Sequence, residues 1–283
     1  MRCIMIDVII PVYSGYEETK ECIESLLSTS NKIDYQLIFI NDNSPDKQIS
    51  NLLNNLDNKR VTVLYNENNL GFVKTVNKGM KMSENDVIIL NSDTIVTNFW
   101  VDKLYRAAYS NSHVGTVTSL TNNGTIASVP DFNRDNELPE GYTIEEFSQL
   151  VERISKRIYP TIPTGVGHAM YIKREVINAV GFFDDKTFGK GYGEEEDFSC
   201  RIIKKGYKNI LADDTFIFHY GSTSFKSEKA KLIRSNKIKL IKKHWWHPFN
   251  VKKFIYFDKN VKSICSKIQN ELLEVNYEKI TKN

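Results

Sequence analysis

The chain has 283 residues, of which 41% are hydrophobic and 26% charged, with a formal net charge of +3; this predicts a soluble globular protein long enough for one large domain and an appendage. No apolar run reaches the roughly 20 residues that a membrane-spanning helix needs, and so small a net charge disfavours a nucleic-acid partner. Four cysteines, Cys3, Cys22, Cys200 and Cys265, lie far apart without paired spacing, which argues against a zinc site or disulfide framework and predicts a reducing compartment, the cytoplasm by default.

The first segment, residues 1–12, is apolar with one arginine, but Asp7 interrupts it and no small-residue cleavage site follows. It reads as a buried strand over 7–12 rather than a secretory signal. Ser14-Gly15-Tyr16-Glu17 reads as a capping box opening a helix to about residue 28. A second strand spans 35–40. Asn43-Ser44-Pro45-Asp46 then offers Ser44 as an N-cap and Pro45 as the first helical residue, for a helix to about 56. A strand over 61–65, a helix over 71–82 and a strand over 87–90 continue the alternation, as a doubly wound, mostly parallel sheet requires. In such sheets ligands bind beyond the carboxyl ends of the strands, so the loops after residues 12, 40, 65 and 90 are expected to line one crevice.

Those loops contain neither GxxxxGK[ST] nor, after the first strand, GxGxxG, which disfavours a P-loop enzyme and a dinucleotide dehydrogenase. Acidic and amide groups stand where a phosphate-cradling loop would be, so a diphosphate needs a cation between itself and the protein. Asp93, at the end of a buried strand, suits a hard divalent metal; the alternative is an aspartate capping the next helix. Further on, Gly189, Gly191 and Gly193 precede four consecutive carboxylates, Glu194 to Asp197, at the mouth of a helix with Phe198, Ile202 and Ile203 on its apolar face. Crowded carboxylates repel, so at least one is expected to hold its proton tightly enough to act as a general base near neutral pH. The competing reading is a solvated acidic first turn facing the positive end of the helix dipole.

The order Asp7-Val8-Ile9-Ile10-Pro11-Val12-Tyr13, Asn41-Asp42-Asn43-Ser44-Pro45-Asp46, Asn69-Leu70-Gly71-Phe72 with Asn77-Lys78-Gly79, Leu90-Asn91-Ser92-Asp93, Gly181-Phe182-Phe183-Asp184 and Gly191-Tyr192-Gly193-Glu194-Glu195-Glu196-Asp197 resembles family 2 glycosyltransferases of the GT-A fold, over about residues 5–225. The resemblance implies inverting transfer of a sugar from a nucleotide-diphosphate donor, UDP-sugar favoured, to a hydroxyl, with Mn²⁺ or Mg²⁺. It implies Pro11, Val12 and Tyr13 as a wall of the nucleoside pocket, Asp42 as the acid bonding the base, and Asn69, Gly71 and Asn77 as part of the segment closing over the nucleoside. Asn91-Ser92-Asp93 takes the place of the family's DxD motif with its first acid replaced. That leaves Asp93 as the main metal carboxylate, with His219 in His219-Tyr220-Gly221-Ser222-Thr223-Ser224-Phe225 as a further ligand. Glu194-Glu195 takes the place of the ED pair, which makes Glu195 the expected base, with Glu194 and Asp197 holding acceptor or base. Thr164-Gly165-Val166-Gly167-His168-Ala169-Met170 resembles the strand under the donor sugar; His168 reads equally as a contact or as packing.

Residues 121–160 match the family least. They read as a turn at Thr121-Asn122-Asn123-Gly124, a polar loop over 132–141 and a helix opened by the capping box Thr143-Ile144-Glu145-Glu146, together shaping the site of a saccharide or lipid-linked saccharide acceptor. Residues 226–267 hold thirteen Lys or Arg against two acids, whereas residues 1–225 hold twenty-three against thirty. That shift predicts a catalytic domain over 1–225, with a nucleotide-binding half over 1–120 and an acceptor half over 121–225, followed by a basic helical extension over 226–283. Within the extension Ile238, Ile241 and Trp245 share a helical face flanked by Lys237, Lys239, Lys242 and Lys243. This suits peripheral contact with anionic lipid at the inner face of a membrane, and equally a helix packed on the domain with solvated lysines. Polysaccharide or glycoconjugate synthesis is the expected setting. Two rival functions are a sugar nucleotidyltransferase, which would carry a Gly- and Arg-rich loop after the first strand, and a non-catalytic nucleotide-sugar-binding module, which would lack the acids.

Overall fold

A computed structural model describes residues 4–221 and 226–281, with side chains described for 4–221 and 230–274. Cys3, the Ser222-Thr223-Ser224-Phe225 end of the His219 segment and the boundary expected near residue 225 lie outside the described residues.

The elements follow in the order β1 (Met5–Val12), α1 (Tyr16–Ser28), β2 (Asp34–Asn41), α2 (Lys47–Asn54), β3 (Val61–Tyr65), α3 (Phe72–Met82), β4 (Asp86–Leu90), β5 (Thr94–Ile95), α4 (Trp100–Ala108) and β6 (Val114–Leu120). Then come α5 (Ile144–Ile154), β7 (Thr161–Ile162), β8 (Ala169–Ile172), α6 (Arg174–Val180), α7 (Asp185–Phe188), α8 (Glu194–Lys204), β9 (Lys208–Phe216), β10 (Phe218–His219), α9 (Lys226–Lys243), α10 (His247–Phe257) and α11 (Asn260–Thr281). Eight strands form one sheet in the order β3-β2-β1-β4-β8-β6-β9-β7. The pairs β1–β2, β1–β4, β2–β3 and β6–β9 are parallel, while β8 runs antiparallel between β4 and β6.

Alternation along β1 explains the two-layered core. Ile6, Val8, Ile10 and Val12 face one layer with Leu26, Phe39 and Trp100, and Ile9 faces the other with Val76, Met80 and Phe198. Helix α3 sits so close to the sheet that a Cβ on Gly79 would lie 2.7 Å from Ile9 Cγ2. A third cluster joins Leu120, Phe147 and Phe216 to Phe254, Val261, Ile264 and Ile268. The C-terminal helices α10 and α11 are thereby packed on residues 121–160, and Arg153 is paired to Glu271 at 2.6 Å. No helix among the described residues is long and apolar enough to cross a membrane. Cys22, Cys200 and Cys265 are free and buried, and burial pushes each thiol up to about 12.

Three local expectations need correction. The N-cap of α1 is Gly15, in the left-handed region at φ 83°, with no side-chain cap, so Ser14 does not form a capping box; only a residue without Cβ takes that turn cheaply. Helix α2 begins at Lys47, not Pro45, because Asp46 Oδ1 accepts from Gln48 N at 2.8 Å and so supplies the cap. Sequence alternation places a strand over 215–218 ahead of His219, but the structure divides it between two elements: β9 ends at Phe216, and Phe218–His219 turns away to pair antiparallel with β5. The capping box at Thr143 forms as expected, with both reciprocal bonds to Glu146.

Candidate active site at the carboxyl ends of the strands

The expected crevice is built from the ends of β1, β2 and β4, the start of β8 and the first turn of α8. At the end expected to take the nucleoside Asp42, buried at the tip of β2, accepts from Leu70 N, Gly71 N and Asn66 Nδ2, all at 2.8 Å. Three donors on one carboxylate fix the loop over residues 66–71 against β2. Asn66 thus carries a job not assigned to it by sequence; it also donates to Thr75 Oγ1 at 3.0 Å and accepts from Lys78 Nζ at 2.8 Å. Gly71 sits at φ 80° with its Cα hydrogens toward Lys190, whose Cα would be 3.0 Å from an added Cβ. The two loops therefore meet only because this residue is glycine.

Other nucleoside-pocket expectations separate. Tyr13 is exposed and Pro11 half-buried at the end of β1, but Val12 is fully buried in the core under the sheet. Strand alternation sends its side chain away from the crevice, so it is not part of the wall. Asn69 is exposed in the 66–71 loop. Asn77 is turned inward: its amide donates to Phe183 O at 2.9 Å and accepts from Phe183 N at 3.1 Å. It ties α3 to the Gly181–Asp184 turn instead of facing a ligand.

Strand pairing assembles the metal candidates. His219 lies opposite Thr94 in the β5–β10 pair, and Tyr220 N donates to Asp93 O at 3.0 Å. This brings His219 Nε2 within 3.3 Å of Asp93 Oδ1 and 3.4 Å of Asn91 Nδ2. His219 Nδ1 lies 2.6 Å from the backbone carbonyl of Asn123. A carbonyl only accepts, so Nδ1 carries a hydrogen and Nε2 faces Asp93, donating to it when the ring is protonated and open to a cation when it is neutral, the arrangement usual for a metal-ligating histidine. Asn122 holds the same residue by its backbone, accepting from His219 N at 2.8 Å and donating to His219 O at 3.1 Å. The sequence marks Asn122 and Asn123 only as a turn; the signal for their role is a pair of amides just beyond the end of β6. Burial pulls the His219 pKa down, but the bond to Asp93 and its charge outweigh this and leave it raised.

Two donors of one octahedral cation lie about 3 Å apart, so the Asp93–His219 spacing fits a hard divalent ion. Ser92 is half-buried between Asn91 and Asp93. Among the described residues there is no group of three or more His, Cys, Asp or Glu set to hold a metal. A divalent ion at this point would draw on Asp93 and His219.

The acidic cluster reaches this centre through residues 165–168. Asn91 N donates to His168 O at 3.0 Å. The His168 ring stacks on that of His219 with centroids 5.8 Å apart, and its Nε2 lies 2.8 Å from Ser119 Oγ. Burial, then the charge of His219, holds the His168 pKa well below its ordinary value, so it remains neutral beneath the metal pair. One residue earlier, Gly167 packs against the Glu195 carboxylate so closely that an added Cβ would overlap it.

Environment splits the four acids. Burial, then the charges of Glu194 and Glu196, raises the Glu195 pKa well above the carboxylate range, partly offset by the Gly167 backbone N–H. Glu194, only 3% exposed and with Oε2 unpartnered, is raised by burial and by Glu196 to about 7. Glu196 is raised by burial, with Lys237 opposing. Asp197 goes the other way: burial would raise it, but bonds from Lys243 and His244 and the charge of Arg201 hold it down. It is fully buried, with Arg201 Nε at 2.8 Å, Lys243 Nζ at 2.6 Å and His244 Nε2 at 2.8 Å. Carboxylates pushed apart in this way mark which are free to exchange a proton and which serve as fixed anions. A cavity of about 480 Å³ lined by Ile162, Tyr207, Lys253, Phe254 and Phe257 lies at the start of β9, away from this crevice; it is not the candidate site.

Gly167→Ala is therefore expected to displace Glu195. Turnover should fall by about 10²-fold, the cost of roughly 1 Å of misplacement, with little change in Tm. Parent-like turnover in this variant would show that Glu195 is free to move aside without consequence.

The sequence model of Glycosyl transferase family 2 matches residues 7–181, more than half of the chain. Among curated proteins, the chain is 28% identical over 116 residues to an uncharacterized glycosyltransferase of Haemophilus influenzae, and 30% identical over 105 residues to glycosyltransferase GlyG of Streptococcus pneumoniae. These matches span 40% and 36% of this chain but only 35% and 34% of those relatives. Among solved structures, GalNAc-T7 with UDP, GalNAc and Mn²⁺ aligns over 100% of this chain and 58% of its own, with TM-score 0.65 and 16% identity. Mannosyltransferase PcManGT of Pyrobaculum calidifontis in complex with GDP-Man and Mn²⁺ aligns over 95% of this chain and 75% of its own, with TM-score 0.58 and 14% identity. At these identities the likeness is one of fold, and the fold is the expected GT-A type.

Proposed function

This chain belongs to glycosyl transferase family 2, and from that premise we propose that it moves a sugar, with inversion, from a nucleotide-diphosphate sugar to a hydroxyl of a saccharide or lipid-linked saccharide. Surface polysaccharide or glycoconjugate synthesis is the setting, and UDP-sugar is the favoured donor class. The observation that carries this reading is the convergence of the Asp93–His219 pair and the Glu195 carboxylate on the two neighbours Gly167 and His168. In the proposed division, residues 1–120 hold the nucleotide, residues 121–225 the acceptor, and 226–283 form an extension packed on the second half.

The chemistry follows from charge. Asp42 holds the 66–71 loop at the nucleoside end, with Pro11, Tyr13, Asn69 and Gly71 around it. Asn91, Ser92, Asp93 and His219 face the diphosphate. A Mn²⁺ or Mg²⁺ ion bound by Asp93 and His219 would neutralise the negative charge that grows on the departing diphosphate. Glu195 accepts the proton of the attacking hydroxyl, and Glu194, beside it, sets the charge against which Glu195 titrates. Asp197 keeps α8 in place through Arg201, Lys243 and the His244 ring. A single displacement from the face opposite the leaving group inverts the anomeric carbon without a covalent intermediate. The test is a hydrolysis screen of UDP-, dTDP- and GDP-sugars with Mn²⁺, in which one nucleotide class is expected to turn over. Absence of both hydrolysis and nucleoside-diphosphate binding across all three would overturn the reading.

For the extension we propose peripheral contact with an anionic membrane, supported by the outward faces of α9 and α10. Asn236, Leu240 and His244 point inward at helical spacing, leaving Ile238, Ile241 and Trp245 outward; Trp245 and Phe249 are each 75% exposed. Lys239 and Lys243, two of the lysines expected at a lipid surface, are instead bonded inward, to Thr187 O and to Asp184 and Asp197. Exposed Lys242, Lys252 and Lys253 remain. Replacing these three with glutamine should weaken sedimentation with phosphatidylglycerol vesicles by about 10²-fold, at about 1 kcal/mol per lysine, without altering donor hydrolysis. Unchanged sedimentation, or none in the parent, would leave α9 and α10 as packing helices only.

A further inference from the structure

The segment over residues 184–197 delivers Glu194 and Glu195, and between its two helical parts runs an irregular stretch over 189–193. After the four-residue helix α7, Gly189, Gly191, Tyr192 and Gly193 all sit at positive φ (57°, 130°, 67° and 111°) immediately before α8 begins. Backbone of this kind is weakly specified by local sequence and persists where surrounding contacts over-determine it.

Those contacts come from α9. Asn236, 0% exposed, donates through Nδ2 to Phe188 O at 3.2 Å and Gly191 O at 2.8 Å. Its Oδ1 accepts from Lys239 Nζ at 2.9 Å, and the same ammonium donates to Thr187 O at 2.9 Å. One turn on, Lys243 Nζ lies 2.7 Å from Asp184 Oδ2 and 2.6 Å from Asp197 Oδ1. A single ammonium therefore bridges the two ends of the segment, while a buried amide holds its middle. His244 adds a second contact to Asp197 at 2.8 Å. Buried or charge-assisted bonds of this type are the strong ones; within the segment Thr187 also donates to Asp184 and Gly191 N to Phe188 O, and α9 adds the tie from Asp184 across to Asp197.

We propose that α9 is a positioning element for the acidic pair, with Asn236 and Lys243 as its anchoring residues. This rests on the reading of Glu194 and Glu195 as the acceptor-side acids. The basic extension is then part of the catalytic unit, and its lysines have two duties divided by helix face: inward to hold the loop, outward to solvent or lipid.

The test is hydrogen exchange on the full chain, comparing the parent with Asn236→Ala, Lys243→Met and Lys243→Arg. Asn236→Ala and Lys243→Met should speed exchange in 184–197 by roughly tenfold or more, the loss of two buried amide bonds or of two charge-assisted ones, while 5–12 and 86–90 stay protected. Lys243→Arg, which keeps the charge, should retain most of the protection. On whichever of the UDP-, dTDP- or GDP-sugars the parent hydrolyses, both loosened variants should lower turnover with UDP or GDP affinity unchanged. Unchanged exchange in 184–197, an equal rise throughout the sheet, or parent-like turnover despite a loosened segment would each overturn the proposal. A parent that hydrolyses no donor would count against the proposed function, and the exchange pattern would still decide the clamp.

Discussion

Glu195→Gln is expected to lower turnover by about 10² to 10⁴ while leaving nucleoside-diphosphate affinity close to that of the parent. The amide keeps the shape of the side chain but cannot accept the acceptor's proton. The pH profile gives the same residue a second readout. A base must be unprotonated to work, and burial with two like charges nearby raises the Glu195 pKa well above the ordinary carboxylate range. Activity should therefore be lost as pH falls through that raised value, with Glu194 contributing near its own value of about 7, and the limb should flatten in Glu195→Gln. Glu194→Gln removes a like charge beside the base, so its limb should move to lower pH with a milder loss of rate. Asp197→Asn should act differently. It leaves Arg201, Lys243 and His244 without their buried anion, and breaking a buried pair from one side costs about 3–5 kcal/mol, so its main signature is a lower Tm. If Glu195→Gln keeps parent turnover while Asp197→Asn loses it at unchanged Tm, the base is Asp197.

Removal of divalent metal is the second large effect. Asp42, Asp93 and the carboxylates of α8 would repel a diphosphate, so UDP or GDP binding by calorimetry should weaken by at least about 10²-fold in EDTA. Asp93→Ala and His219→Ala should show comparable losses in the presence of Mn²⁺, by the scale usual for metal-site residues. Acid should act on the same pair. The His219 pKa is raised by Asp93 despite burial, so a proton occupies Nε2 over a wider range than in a free imidazole, and metal-dependent binding should fall as pH drops through that value. Equal affinity with and without metal would remove Asp93 and His219 from this role.

The sequence by itself determined the alternation of strands and helices. Hydrophobic period and turn chemistry are local, and β3 and the capping box of α5 fall where those signals put them. It also determined the order of the motifs, and with it the family. Caps that depend on competition between adjacent side chains were less legible: Asp46 displaced Ser44 because its carboxylate reaches Gln48 N, and a left-handed glycine displaced the box at Ser14. Only the tertiary structure decided which motif residues face the crevice. Asn77 and Asp197 sit in the expected segments yet spend their hydrogen bonds on Phe183 and on two cations and a histidine, while Val12 is turned into the core by strand alternation. His219 meets Asp93 because β10 leaves the main sheet to pair with β5. Glu195 meets Gly167, and Asn236 meets the loop before the acids, through packing between elements distant in sequence. The physical reason is common to all of these. Propensity and periodicity act over a few residues, whereas a buried polar group must find its partner wherever the packed chain supplies one, and that choice is made across dozens of residues.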